Sequence, residues 1–411
     1  MRPAITIVPL APLPAGTKGR GAQTHVAHRF EKWEREACED GWGHEGEDQA
    51  TAPAAATDED ARGAEAPPPA RPRTEVMPEI ARSILTRNTS PDIGFDVSIN
   101  PYRGCEHGCS YCYARPSHSY LDLSPGLDFE TRIVAKTNAA ALLRQAFDRP
   151  SYVARPLALG TVTDAYQPVE RRLRLTRAVV EVLAEYRHAF AVVTKSALVE
   201  RDLDLIAPMA AQRLAAVHVS LTTLDDALAR RLEPRAASPR RRLQTIERLA
   251  RSGVPVGVSV SPLIPFLNEP ELEAILGAAA QAGARSAFSV VLRLPWELAP
   301  LFREWLQRHV PDRAQRIMAR VQEMRGGQDN DPRFGTRMTG QGPWSALIRQ
   351  RFEVAARRHG LSRTGVALDL SAFRRSGQAE SNPSPTAPPP AGTARPGAGS
   401  ASATTRQAEL F

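Results

Sequence analysis

The sequence predicts an α/β protein built around a parallel sheet. Six strand-length apolar runs alternate with amphipathic helical stretches, in regular order, between residues 95 and 293. Each helical stretch is long enough to carry the chain back across a sheet, which makes this a βα pattern. Six parallel strands with helices outside form either an open doubly wound sheet or an incomplete barrel. In both, ligands gather at the carboxyl ends of the strands.

The predicted strands, in order, are "FDVSI" (95–99), "LALGTV" (157–162), "FAVVT" (190–194), "AAVHVSL" (215–221), "VPVGVSV" (254–260) and "AFSVVLR" (287–293). A further run, "TRIVAK" followed by "NAAALLRQAF", lies between the first two. The helices between the later strands are "RLRLTRAVVEVLAEYR", "ERDLDLIAPMAAQ", "SPRRRLQTIERLARSG" and "EPELEAILGAAAQAG". The third is the best bounded, with Ser238 as N-cap, Pro239 at the first helical position and Gly253 past the end. After the sixth strand come "ELAPLFREWLQRHV", "RAQRIMARVQEMRGG" and "PWSALIRQRFEVAARRHGL", with Gln328 to Gly342 as a long loop. Loops of that length are often lids or binding elements.

The ends read differently. From about Thr17 to Arg73 the chain is Gly-, Ala-, Pro- and Glu-rich without a sustained period, and "NPSPTAPPPAGTARPGAGSASATT" near the other end is the same kind of segment. Both are predicted to be disordered. The expected organisation is a tail over 1–75, a folded unit over 76–300, a helical extension over 301–375 and a second tail over 376–411. "HRFEKWEREACED" in the first tail reads as a short helix, and its Cys38 as a bystander.

At 411 residues and 42% hydrophobic, the chain can bury a sizeable core. Charges interrupt every apolar run well short of the roughly 20 residues of a membrane span. The opening "MRPAITIVPLAPLPAGTKGRG" is broken by proline and lacks the order of a secretory signal. A soluble, cytoplasmic protein with no membrane partner is therefore expected. The net charge of +8 is unevenly spread: residues 76–375 carry 42 Lys and Arg against 30 Asp and Glu. A basic folded region permits an anionic partner such as nucleic acid; a coding bias toward arginine gives the same count.

Three of the four cysteines fall in "NPYRGCEHGCSYCYAR", as Cys105-x3-Cys109-x2-Cys112, just after the first predicted strand. Crowded thiols in one loop suit metal binding in a reducing compartment better than a disulfide framework. Such a loop can wrap one face of a cubane iron–sulfur cluster and leave one iron without a protein ligand. Zinc is the rival, with His107 or His118 completing a Cys3His set.

This motif, with Tyr111 immediately before the third cysteine, resembles that of the radical S-adenosylmethionine (SAM) superfamily. "TKSALVERDLDLI", "VSLTTLDDALARRLEPRAASPRRRL" and "GVPVGVSVSPLIPFLNEPE" extend the likeness, in the same order, to the branch related to spore photoproduct lyase. The resemblance covers about residues 95–295. It implies an incomplete (β/α)6 TIM-type barrel with a C-terminal helical extension and disordered N- and C-terminal tails. It also implies one [4Fe-4S] cluster on Cys105, Cys109 and Cys112, S-adenosyl-L-methionine chelated at the open iron, and an electron donor such as a flavodoxin or ferredoxin.

Cofactor contacts carry over where the motifs match. By the resemblance, Lys195 would pair with the methionine carboxylate and Ser220 would hydrogen-bond the cofactor, with Tyr111 beside the cluster. The superfamily's Gly-Gly-Glu turn is absent after the second strand, where Gly160, Thr163 and Asp164 stand instead. Tyr166, Gln167 and Glu170 follow as candidates for the substrate side. Arg235 and Arg240 would meet a carboxylate, a phosphate or solvent, and "SPLIP" would shape the adenine-side wall. The lyase resemblance also calls for a hydrogen-donating cysteine later in the barrel, yet no cysteine follows Cys112. The expected function is a radical enzyme acting on nucleic acid, in the manner of DNA repair. The alternatives are a radical enzyme with a small-molecule or protein substrate and a zinc-stabilised nucleic-acid-binding module. Finally, Gln407, Leu410 and Phe411 in "RQAELF" resemble the peptide by which bacterial replication and repair proteins dock on the sliding clamp.

Overall fold

The structure, a computed structural model, describes residues 20–22, 24–31 and 73–375. Its strands are β1 (Glu75–Glu79), β2 (Leu85–Arg87), β3 (Val97–Ile99), β4 (Tyr102–Arg103), β5 (Arg132–Lys136), β6 (Leu157–Leu159), β7 (Phe190–Thr194), β8 (Ala215–Ser220), β9 (Val256–Leu263) and β10 (Ser286–Val291). They form a seven-stranded sheet in the order β10-β9-β8-β7-β6-β3-β2 and a three-stranded sheet in the order β1-β5-β4.

The six expected strands are β3 and β6 to β10, all mutually parallel and side by side in chain order. This is the incomplete (β/α)6 barrel. Val192, Val217, Val219, Val258 and Val260 are buried because the sheet is covered on both sides, so its strands read as continuous apolar runs. The crossover helices are Leu175–Glu185, Leu203–Ala211, Pro239–Arg251 and Leu272–Gln281. Ser238 caps the third, its hydroxyl accepting from the Arg241 amide at 3.3 Å.

Some boundaries differ from expectation. β6 stops at Leu159 because Gly160 turns the chain with a φ of +79°, where an added Cβ would press on Ala165 at 3.0 Å. "TRIVAK" becomes β5 of the small sheet, where it pairs with β1, a strand the apolar pattern does not signal. The long loop is anchored at the end of β10. The Val291 amide donates to the Met338 carbonyl, Arg337 Nε to Asp92 at 2.6 Å, and the buried Arg325 guanidinium to the carbonyls of Val291, Leu292, Thr336 and Arg337.

The helices Leu298–His309 and Pro311–Glu323 build a second core with Leu228, Leu232, Ile264 and Leu292, and this core includes Cys109 and Tyr111. Helix Gly342–Arg358 packs on Leu272–Gln281, with Arg351 bridging Glu269 and Glu273. Beyond it the chain returns to the amino ends of the strands, where Phe373 meets Phe147 and His188.

Residues 20–22 and 24–31 fall inside the stretch expected to be a disordered tail, and for them that expectation does not hold. They form a strap with Ala22, Val26 and His28 buried. Apart from residues 73–75, which lead into β1, the remaining tail residues lie outside the described ones, among them Cys38, Gln407, Leu410 and Phe411. Among the described residues no helix is long and apolar enough to cross a membrane.

A cysteine loop and candidate cofactor site at the strand ends

The cysteine loop follows β4 and runs into the 3-10 helix Arg115–Leu121. Cys105 and Cys109 are buried, Cys112 is half-buried, and all three are free thiols. The loop is pinned by polar contacts to its backbone and flanking side chains. Gln167 clamps its start, accepting from the Glu106 amide at 2.9 Å and donating to the Gly104 carbonyl at 3.1 Å. Arg115 donates to the Cys109 carbonyl at 2.9 Å, to Gly126 at 2.8 Å, and to the buried Glu130 carboxylate. Glu130 also accepts from the amides of Gly21 and Ala22 at 2.9 and 2.7 Å, which fastens the strap over the loop's outer side.

The donor set suits an iron–sulfur cluster. Burial pushes the Cys109 thiol up to about 12; Lys195 opposes this, while Glu233 and Cys112 add to it. Burial, Asp164 and the other two thiols raise Cys105 as well. Cys105 and Cys109 stay protonated at neutral pH unless a cationic centre lies against them, and the irons of a cluster would supply it. Both histidines offered as a fourth zinc ligand face other partners. His107 Nδ1 lies 3.2 Å from Asp164, and His118 Nε2 lies 3.0 Å from the Arg132 carbonyl. Among the described residues no three or more His, Cys, Asp or Glu side chains converge on a single ion position. One zinc needs four ligands about a single centre, whereas each thiolate of a cluster holds its own iron.

Of the residues named from sequence, Tyr111 and Lys195 come together at the loop. The Lys195 ammonium stands 5.8 Å from the centre of the Tyr111 ring. Burial lowers its pKa, but Cys109, Glu233 and Asp164 together hold it above the ordinary value. Tyr111 donates its hydroxyl to Glu233, which also accepts from Thr222 at 2.6 Å and from Arg242. Burial opposes ionisation of Glu233, yet Arg242 and Lys195 hold its pKa at about 2. Ser220 ends β8, buried, and its carbonyl accepts from Arg242 Nη1 at 3.0 Å.

The other named residues make the following contacts within the protein. Asp164 is largely enclosed, which disfavours its charge, but His107, the Lys195 amide and the Thr194 hydroxyl bring its pKa to about 2. Thr163 is buried and reaches the Tyr102 carbonyl at 3.5 Å. Arg235 pairs with Glu106 at 3.0 Å, while Arg240 is exposed. Tyr166, Gln167 and Glu170, offered for the substrate side, are all buried. Gln167 clamps the loop, and Glu170 binds the Tyr102 hydroxyl and Arg201.

Sequence reasoning missed Glu130, Arg115, Glu233 and Arg242. One signal was available: Arg242, Thr245, Ile246 and Leu249 share helical spacing, which places Arg242 on the buried stripe of its helix. It also missed Tyr113 and Arg293 at the mouth, where the guanidinium lies 5.6 Å from the ring centre.

Residues 99–279 match the model described as the Radical SAM superfamily. An uncharacterised protein of Mycobacterium tuberculosis is 40% identical over 232 residues, covering 56% of this chain and 67% of that one. An uncharacterised protein of Methanocaldococcus jannaschii is 29% identical over 180 residues, covering 43% and 64%. A solved structure of spore photoproduct lyase complexed with dinucleoside spore photoproduct has 15% sequence identity and a TM-score of 0.49, covering 70% of this chain and 81% of that chain.

Proposed function

Because the chain belongs to the radical SAM superfamily, we propose that it holds a [4Fe-4S] cluster on Cys105, Cys109 and Cys112, cleaves S-adenosylmethionine reductively, and acts on a nucleic acid. The observation that carries the reading is the set of three free thiols, two of them buried, at the carboxyl ends of six parallel strands, with the Lys195 ammonium in electrostatic reach of Cys109. When bound, the two cofactors supply hydrogen abstraction by a 5′-deoxyadenosyl radical, fed by one electron from a flavodoxin- or ferredoxin-type donor.

The chain's own residues bind and orient. Lys195 is the cation on the cluster side and would meet the methionine carboxylate. Its charge is kept by Cys109 and Glu233 despite burial. The Glu233–Arg242 pair fixes Tyr111, and with it the turn between Cys109 and Cys112. Gln167, Arg115 and Glu130 hold the loop from the other sides, and the second core covers Cys109 with apolar side chains that keep water away. The excess of Lys and Arg over Asp and Glu in residues 76–375 supports an anionic substrate.

The test is anaerobic reconstitution with iron and sulfide, then dithionite and S-adenosylmethionine. Formation of 5′-deoxyadenosine is expected. A fully loaded cluster that yields none contradicts the proposal, and a colourless protein carrying only zinc favours a non-catalytic module. Binding to nucleic acid that weakens steeply with added salt tests the substrate class.

A further inference from the structure

The exposed aromatic side chains among the described residues are Phe30, Tyr113, Tyr120, Trp296 and Phe334. Four belong to the segments that follow β4 and β10 at the carboxyl ends of the barrel, and the fifth, Phe30, is brought there by the strap. Three of them surround one cation. The Arg29 guanidinium lies 4.6 Å from the centre of the Phe30 ring, 5.1 Å from Tyr120 and 4.3 Å from Trp296. It is locked there by the buried Glu297 carboxylate at 2.9 and 3.0 Å. Arg29 is thus neutralised, and its part is to order the rings.

The rings keep free surface. Tyr120 is 68% exposed, Trp296 58% and Phe30 47%, although each gives one side to Arg29. Trp296 has a φ of +46°, a left-handed conformation a bulky side chain rarely adopts. Its neighbour Glu297 is held by Arg29, so the strap keeps the strained residue in place. Three residues before Trp296, Arg293 has no carboxylate within ion-pair distance among the described residues, and its Nε is buried without a hydrogen-bond partner among them. Arg293 also lies against Tyr113, the residue after Cys112. Open aromatic faces, with an arginine three residues along the chain from Trp296 that has no ion-pair partner among the described residues, match a strand whose bases are free to stack and whose backbone carries phosphates. A duplex hides its base faces and does not fit.

We propose that Phe30, Tyr120 and Trp296 form a stacking platform for the unpaired bases of a single-stranded nucleic acid, with Arg293 meeting its phosphate. The inference rests on the nucleic-acid reading above and narrows it to single strands or unpaired segments.

The test is fluorescence anisotropy of the reconstituted protein with labelled 15-nucleotide oligo-dT and oligo-U, and with a duplex of the same length. The platform predicts tighter binding to single strands than to duplex. Loss of one base stack costs roughly tenfold or more in affinity. Trp296→Ala and Tyr120→Ala should each show that loss, whereas Trp296→Phe should retain most of the binding. Iron content and the circular dichroism spectrum report whether each variant is folded, and the milder Tyr120→Phe provides a second comparison. Single-strand affinity equal to wild type in both alanine variants overturns the proposal, as it would if the surface served a protein partner. Equal affinity for duplex and single strand overturns it too. If wild type forms 5′-deoxyadenosine but binds no single strand, the platform falls and the reaction class stands. If the alanine variants lose strand binding in a protein that never cleaves the cofactor, the platform stands and the reaction class falls.

Discussion

Arg242 and Glu233 form an ion pair sealed from solvent behind the cysteine loop, and the Tyr111 hydroxyl donates to the same carboxylate. Removing one partner of such a pair leaves a buried charge uncompensated, at a cost of about 3–5 kcal/mol. Glu233→Gln should therefore lower the urea midpoint markedly and reduce the iron retained after reconstitution, because Tyr111 and Lys195 lose their shared anion. An unchanged midpoint and full iron content would remove this pair from the account of the loop.

Stability should fall in two separate steps on acidification. His118, His188 and His218 are buried, which lowers each pKa to about 4 from an ordinary 6.5. The unfolded chain therefore takes up protons first, and the stability present above pH 6.5 is lost as the pH falls toward 4, by up to about 2 kcal/mol per histidine at pH 5. Asp164 and Glu233 keep pKa values of about 2, so their contribution is complete above the ordinary carboxylate range and is lost only between about pH 4.5 and 2. Urea midpoints at pH 7.5 and 5.0 isolate the histidine step, and equal midpoints would contradict it.

Gln167 supplies both a donor and an acceptor to the loop, to the Gly104 carbonyl and from the Glu106 amide. Gln167→Leu strands two buried backbone groups, at roughly 1–3 kcal/mol each. Gln167→Glu keeps the acceptor and loses only the donor. Iron bound per chain should fall in the order wild type, Gln167→Glu, Gln167→Leu, and equal loading of all three would show that the loop does not depend on this clamp.

Much of the barrel was legible in the sequence because buried parallel strands announce themselves as apolar runs, as "FAVVT" and "AAVHVSL" do. The cysteine loop was legible by spacing. What escaped was held by polar contacts with no period. β1 reads "EVMPE" and gains its place only by pairing with β5. Glu130 sits in "GLDFETR", which looks like a surface turn, yet its carboxylate is enclosed by Arg115 and two strap amides. The strap itself lacks an apolar pattern because its amides bind a side chain rather than a strand. Thr163 and Asp164, expected beside the cofactor, are tied to the barrel by hydrogen bonds to Tyr102 and Thr194 that the sequence does not signal.

The strap should be sensitive at Gly21, whose added Cβ would collide with the Gly108 carbonyl oxygen inside the cysteine loop. Gly21→Ala should lift the strap and expose the amides of Gly21 and Ala22 that bind Glu130. Hydrogen exchange over residues 20–31 should accelerate, and the reduced protein should bleach faster in air. Unaltered exchange would mean that this close approach does not seat the strap.

Low-temperature electron paramagnetic resonance of the dithionite-reduced, anaerobically reconstituted protein, recorded with and without S-adenosylmethionine, tests the central assignment most directly. A [4Fe-4S] signal that changes when the sulfonium is added, and that is absent from Cys109→Ala, is the predicted result. A signal indifferent to S-adenosylmethionine, or one that survives loss of Cys109, would contradict a three-cysteine cluster with an iron open to the cofactor.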